Sequence, residues 1–444
     1  MSRDWQKDEA PVEGVTMATT KERVGVTVER TYVPPRGGRL ATMSALEWIA
    51  VVQAVALAVL VAWDGSPAWQ VFRLVVVTGI TWLALTGMRR STRAGRGAIT
   101  LALGVAGTVA GGGVASAHLA KDGITVTSVA ASIVLATGLA LLILGSVVLI
   151  RSPRRWWRLL AVPAGLALLV FVLFPLTVAV NATNRPAGQL GSRTPADVGL
   201  QARDVTFATP DGARLSAWYA PGSNGAAVVV LHGSGSTRTA VLDHAAELAS
   251  HGYATLLVDA RGHGRSEGRA MDFGWYSPQD IAGAVSFLGR QPGVDRVGVL
   301  GTSMGGEGAI SAAGSDPRIA AVVAEGVTGM QEADRGWLPG GINGTIERGL
   351  EWVQYTAADL MSGAGRPMPM RDAIVAAAPR PFFLIQAETV SNEVDAGAWF
   401  RAVSPRTVDV WIVPGAGHTE GLAIDPTGWE ERVIEFLDEA LLAG

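Results

Sequence analysis

Five apolar segments crowd into the first 180 residues, and nothing else constrains this chain so tightly. They run at about 43–63, 68–88, 98–120, 128–150 and 158–180. Each is close to the ~20 residues an α-helix needs to cross a hydrocarbon layer. A backbone inside lipid must satisfy its own polar groups, which a helix does within one segment. The segments therefore predict a helical transmembrane region of five spans. Trp48, Trp63, Trp69, Trp156 and Trp157 lie near segment ends, where indoles favour the membrane interface. The alternative is a buried helical core, and five such runs with almost no internal charge speak against it. Arg73 falls inside the second segment but near its end, where its stem can reach the headgroups. The third segment carries Gly107-x-x-x-Gly111. That spacing permits close helix contact, though plain tolerance of glycine in membrane helices is the preferred reading.

Arginine placement orients the spans. Arg30, Arg36 and Arg39 precede the first; Arg89, Arg90, Arg93 and Arg96 follow the second; Arg151, Arg154, Arg155 and Arg158 follow the fourth. The other turns carry only Asp64, and Lys121 balanced by Asp122. Positive loops stay cytoplasmic. The tail and both arginine loops are expected inside, and an odd number of spans puts everything after Val180 outside.

The rest of the chain divides by composition. Residues 1–42 are polar, of mixed charge, and read as a flexible, uncleaved tail. Residues 181–200, with Pro186, Gly188, Gly191 and Pro195, read as a tether. Residues 201–444 look like an ordinary soluble domain. A net charge of −3 gives no nucleic-acid footprint. The absence of cysteine excludes disulfides and thiol chemistry. The six histidines show no metal-binding spacing, so neither a metal nor a cofactor is expected.

In the soluble part short apolar runs alternate with helical patterns. Strands are expected at 204–208, 215–220, 227–231, 254–259, 297–301, 320–324, 381–387 and 408–413. The first two read as a hairpin turned by Pro210-Asp211-Gly212, and the others as a parallel sheet with helices on both faces. Chemistry on such sheets gathers at the carboxyl ends of the strands. Gly301-Thr302-Ser303-Met304-Gly305 follows one strand and precedes a helix of small residues. Small neighbours let a serine sit on a tight turn with its hydroxyl exposed. A second match, Gly264-Arg265-Ser266-Glu267-Gly268, follows no strand and is set aside. His418 ends Pro414-Gly415-Ala416-Gly417-His418 after the last strand, where a mobile loop can bring it onto Ser303 as base. His232 and His263 read as loop-fixing residues. The glycines of Leu231-His232-Gly233-Ser234-Gly235 let backbone amides approach a reacting oxygen, which marks Ser234 and Met304 N–H as an oxyanion hole.

These pieces, together with Asp259-Ala260-Arg261-Gly262-His263-Gly264, make residues 201–444 resemble the α/β-hydrolase superfamily. The resemblance is to bacterial serine hydrolases of the dienelactone hydrolase-like and serine aminopeptidase-like branch. It implies an α/β-hydrolase fold of eight mostly parallel strands, preceded here by the transmembrane helices. The family usually carries its acid in a Gly-x-x-Asp pattern after the seventh strand, which would fall on Val390. A carboxylate must come from elsewhere. Glu393 is favoured, on a bend at Ser391-Asn392; Glu388, Asp395 and Glu325 stay open. Residues 327–378 interrupt the sheet pattern with apolar positions at helical spacing and read as a cap. The resemblance implies a serine hydrolase that cleaves an ester or amide bond; the five spans make it membrane-anchored, in a bacterial cell membrane, and an apolar cap would favour an apolar or lipid-derived substrate. Acyl transfer by the same residues, or a non-catalytic membrane interaction protein, are the alternatives.

Overall fold

The computed structural model describes residues 43–62, 67–151 and 161–443. The tail with Arg30, Arg36 and Arg39, the positions Trp63, Asp64, Trp156 and Trp157, and Arg154, Arg155 and Arg158 lie outside the described residues. Five helical stretches are long and apolar enough to cross a membrane. They are α1 (Ala45–Ala62), α2 (Pro67–Arg90), α3 (Arg93–Asp122), α4 (Val126–Ile150), and a composite of α5 (Ala161–Leu168), a π-helical turn (Leu169–Leu173) and α6 (Phe174–Asn184). From Ile49 onward the chain packs as one compact unit.

Two boundaries differ from the expected ones, each through a side chain that satisfies a helix end. The loop after α2 shrinks to Ser91-Thr92, because Thr92 caps α3 by accepting from the Gly95 N–H at 3.3 Å. The last helix continues past Val180 to Asn184, so the first four residues of the expected tether are helical. There the Thr183 hydroxyl and Asn184 Nδ2 donate back to the carbonyls of Ala179 and Val180, both at 2.9 Å.

Glycine does more in α3 than the sequence suggested. A methyl group built on Gly104 would lie 2.3 Å from the Leu142 nitrogen, and one on Gly111 2.3 Å from the Leu135 nitrogen. A methyl on Gly107 would meet the Gln53 side chain of α1 at 2.6 Å. Close helix approach explains these glycines, not mere tolerance.

The eight strands lie in the order β1-β2-β4-β3-β5-β6-β7-β8: β1 (Arg203–Ala208), β2 (Arg214–Ala220), β3 (Ala226–Leu231), β4 (Ala254–Val258), β5 (Arg296–Thr302), β6 (Ile319–Glu325), β7 (Phe382–Ala387) and β8 (Val408–Val413). β2 pairs antiparallel with β1 and β4, and every other pairing is parallel. Strands buried on both faces read as unbroken apolar runs, as Ala226–Leu231 does. Between them lie α7 (Leu242–Ser250), α8 (Ser277–Leu288), α9 (Met304–Ser315), α10 (Gly341–Met361), α11 (Met370–Ala377) and α12 (Ser391–Arg401), and after β8 come α13 (Gly421–Ile424) and α14 (Pro426–Leu441). One face of the sheet packs on Ile281, Ile310, Ile374 and Phe400 of α8, α9, α11 and α12. The other packs on Leu242, Leu248, Trp429 and Leu437 of α7 and α14.

The 327–378 insertion supplies α10 and α11. α11 joins the core under the sheet. α10 packs along α6, where Tyr355 and Ala358 share a buried cluster with Ala179, Trp275 and Met330. The segment expected to cover the site is thus also the element that joins the hydrolase-like part to the last of the five apolar helices.

The α3–α4 contact gives a direct test. Gly111→Ala should lower the stability of the detergent-solubilised protein by about 1–3 kcal/mol, as over-packing does. Gly79→Ala on α2, where a methyl meets nothing within 4 Å, should leave it unchanged. Thermal unfolding of the two variants is the measurement.

Candidate active site

Ser303 sits between β5 and α9 with φ 50° and ψ −121°, a left-handed backbone that is uncommon for a residue with a side chain. Two glycines make the turn sterically feasible. A methyl on Gly301 would lie 2.3 Å from the Gly305 carbonyl carbon, and one on Gly305 2.8 Å from the His232 oxygen. The Ser303 N–H donates to the Glu325 carbonyl at 2.7 Å, and the Ser303 carbonyl accepts from the Glu307 N–H at 3.0 Å. The turn is therefore tied to β6 and to its own helix.

His418 follows β8 on the Gly-rich loop. Its Nε2 lies 3.0 Å from Ser303 Oγ and its Nδ1 2.5 Å from Glu393 Oε1. Glu393 is completely buried. Its other oxygen accepts the Ala387 N–H at 2.8 Å. It lies in the first turn of α12 rather than on a bend, where the amino-end dipole favours a carboxylate. The bond from Glu393, against the opposing effect of burial, raises the His418 pKa above its ordinary value; the carboxylates of Glu307 and Glu325 add to the rise. Gly326 makes room for the ring: a methyl there would lie 3.1 Å from His418 Cε1. Its φ is +70°. Sequence reasoning missed Gly326, although its place directly after β6 and Glu325 was a usable signal.

The other carboxylates are engaged elsewhere. Glu388 accepts the Gly415 N–H at 2.9 Å and braces the histidine loop. Asp395 is exposed on α12. Glu325 is buried, accepts the Gly421 N–H at 2.7 Å, and lies 3.4 Å from His244 Nε2.

The loop after β3 passes close to the serine, since a methyl on Gly233 would sit 3.3 Å from Ser303 Cβ. Among the described residues neither the Ser234 nor the Met304 amide donates to another backbone carbonyl. The Ser234 hydroxyl donates to Met271 Sδ at 3.0 Å. His232 and His263 fix this region. His232 Nε2 accepts the Ala260 N–H and His263 Nε2 accepts the Gly235 N–H, each at 3.1 Å. Burial pushes their pKa values down to about 4 and about 3 respectively. Both rings are neutral at pH 7 and already bonded at both nitrogens. Ser266 is likewise occupied: its hydroxyl donates to the Asp259 carbonyl and accepts the Ser216 N–H.

Glu247, His251 and Glu430 bring potential metal-ligand atoms within 4.8 Å of one another. The sequence could not show this, because Glu430 comes from α14.

Residues 222–361 match the family described as serine aminopeptidase, S33. An uncharacterised protein of Mycobacterium tuberculosis is 30% identical over 254 residues, covering 54% of this chain and 81% of that protein. A thiohydrolase of Aspergillus aculeatus is 37% identical over 128 residues, covering 27% of this chain and 40% of its own length. Among solved structures, an esterase of Pyrococcus furiosus is 24% identical and covers 58% of this chain and 98% of that one, with a TM-score of 0.49.

The His418–Glu393 contact predicts a titration. The His418 ring should titrate above the ordinary imidazole value of ~6.5. Glu393→Gln, which removes the charge but keeps the shape, should move it down. NMR of isotopically labelled histidine, with His418→Ala to identify the signal, measures both.

Proposed function

Because the chain belongs to the α/β-hydrolase superfamily, we propose that it is a membrane-anchored serine hydrolase that cleaves an ester or amide bond. The observation that carries this reading is the continuous line from Ser303 Oγ to His418 Nε2 and from His418 Nδ1 to Glu393, at 3.0 and 2.5 Å. The catalytic part is residues 201–444, with residues 327–378 beside the site. Ser303 Oγ attacks the substrate carbonyl while His418 Nε2 takes its proton. The buried Glu393 carboxylate holds the ring in the tautomer that presents Nε2 and stabilises the imidazolium that forms. The carbonyl oxygen, now negative, takes hydrogen bonds from the Ser234 and Met304 amides. His418 then gives its proton to the departing alcohol or amine, leaving an acyl-serine. Water, deprotonated by His418, attacks the acyl carbon; Ser303 leaves and regains its proton. Every step uses side chains and amides of this chain. An alcohol in place of water in the last step makes the same machinery an acyltransferase, and products formed with and without a lipid alcohol separate the two.

A fluorophosphonate probe should label the wild type. Ser303→Ala should abolish labelling, whereas Ser266→Ala should not. Unchanged labelling of Ser303→Ala would end the assignment. Glu393→Gln should lower kcat by about 100- to 10,000-fold, and Glu388→Gln and Asp395→Asn by far less. If Glu325→Gln proves the most damaging change, the acid lies after β6.

The five spans set the side of the membrane. Arginines cluster before α1, between α2 and α3, and after α4, and each near an anionic surface is worth roughly 1 kcal/mol. Those loops belong in the cytoplasm, and the hydrolase domain belongs outside a bacterial cell membrane. Protease added to intact spheroplasts should digest residues 200–444 and spare an N-terminal tag. Protection of the C-terminal domain until lysis would mean an even number of spans.

A further inference from the structure

Two crevices meet where the hydrolase domain rests on the membrane helices. The first, about 620 Å³, runs between the helices and is walled mainly by apolar side chains, among them Leu57 and Leu60 of α1 and Phe72 and Val76 of α2. The second, about 480 Å³, is polar and includes Arg261, Glu267, Asp272 and Tyr276 of the hydrolase domain. Arg73, Arg269 and Met361 are walls of both. An apolar channel among membrane helices thus opens into a polar chamber at its mouth, with two arginines where they join.

Asp272 lines the polar chamber and is 5% exposed. Its Oδ1 has no hydrogen-bond partner among the described residues. A buried carboxylate oxygen without a donor is costly, and burial raises the Asp272 pKa to about 6 against the opposing effects of a Ser362 hydrogen bond and of the Arg269 and Arg261 charges. The backbone here is strained as well: Asp272 and Phe273 both have left-handed φ, 44° and 54°. Strain and an unmet acceptor persist only where surroundings or function hold them.

We propose that this composite crevice binds one aminophospholipid. An acyl chain lies in the apolar channel between α1 and α2. The phosphate lies between Arg73 and Arg269. The ammonium of the headgroup donates to Asp272 Oδ1. Arginine suits a phosphate geometrically and carries a permanent charge. An ammonium supplies the donor that Asp272 Oδ1 lacks, whereas a choline headgroup has no N–H to give. The site extends the proposed function without depending on the chemistry at Ser303; it rests only on the reading of the apolar helices as spans. The headgroup loop nevertheless reaches the serine. Met271 accepts the Ser234 hydroxyl, and a methyl on Gly274 would sit 2.6 Å from Met304 Cγ. One loop therefore carries the lipid contacts on one side and touches both oxyanion residues on the other.

Native mass spectrometry of the full-length protein, delipidated in detergent, tests this. Phosphatidylethanolamine, phosphatidylcholine and diacylglycerol of identical acyl chains would be added in competition. Phosphatidylethanolamine should bind about tenfold or more tightly than either rival, as one charge-assisted hydrogen bond implies. Glycerophosphoethanolamine, the headgroup without chains, should not displace it at equal concentration. Asp272→Asn should collapse the preference over phosphatidylcholine; asparagine tolerates left-handed φ, so the loop keeps its shape. Arg73→Gln should weaken both phospholipids and leave diacylglycerol unchanged. Equal binding of all three lipids by the wild type, displacement by the free headgroup, or a preference unaffected by Asp272→Asn would overturn the site. Carbonate extraction of membranes scores the spanning helices separately, so a protein that fails to insert is told apart from one that inserts without selecting this lipid.

Discussion

The backbone at Ser303 is the constraint on which the rest of the site depends. A serine at φ 50° is held against its own preference. It stays there because the Gly301 and Gly305 positions leave no room for a side chain, and because its N–H is anchored to the Glu325 carbonyl on the neighbouring strand. The turn ends β5 and starts α9 in one step, so the hydroxyl stands at the carboxyl edge of the sheet. That edge is where loops after β3, β7 and β8 can reach it. Gly233, Glu393 and His418 arrive from those three loops. Gly233 and His418 meet the serine itself, and Glu393 reaches it only through His418.

Burial then divides the polar groups by task. His232 and His263 lie deep, lose their charge, and spend both ring nitrogens on backbone partners. His418 is half exposed and faces a fully buried carboxylate, which raises its pKa instead. Three histidines near one site thus have opposite electrostatics. Only His418 combines access to solvent, contact with Ser303 and a charged partner. The glutamate's place in the first turn of α12, with a backbone N–H on its second oxygen, fixes it in the orientation the imidazole needs.

Much of this was legible in the sequence where local chemistry dictates the outcome. All eight strands fall within a residue or so of their expected bounds, because buried parallel strands are apolar runs bounded by glycine and charge. Ser303 could be told from Ser266 by the strand before it, and the structure gives Ser266 a backbone-bracing role. Glu393 is favoured in the sequence over Glu388, Asp395 and Glu325, but its contact with His418 rests on which side of α12 faces the core, which no local pattern displays. Ser391-Asn392, read as a bend, opens α12 instead. Gly107 and Gly111 carried a like ambiguity: close packing depends on a partner helix whose register no local pattern displays. The contact of α10 with α6 was equally out of reach, because apolar spacing shows that a face is buried, not against what.

The sheet edge that carries Ser303 is also the edge that meets the ends of the apolar helices. Lys121, at the end of α3, donates to the carbonyls of Pro186 and Gly235 at 3.2 and 3.3 Å. Gly235 lies one residue past Ser234, and its own N–H is held by His263. The Gly264 N–H donates to the Gly188 carbonyl at 3.0 Å, and Arg269 donates to the Thr183 carbonyl at 2.9 Å. Each of these hydrolase-domain partners belongs to a loop at the carboxyl ends of β3 and β4. A domain merely tethered to a bilayer could dock through any surface, and its working loops would be the poorest choice, since docking would crowd the substrate. Docking through those loops is physically sensible when the substrate, or a lipid that shapes the loops, arrives from the membrane side. The end of α3 is tied to the loop that carries Ser234 by the Lys121–Gly235 hydrogen bond, and the end of α6 to the loop after β4 by the Arg269–Thr183 hydrogen bond.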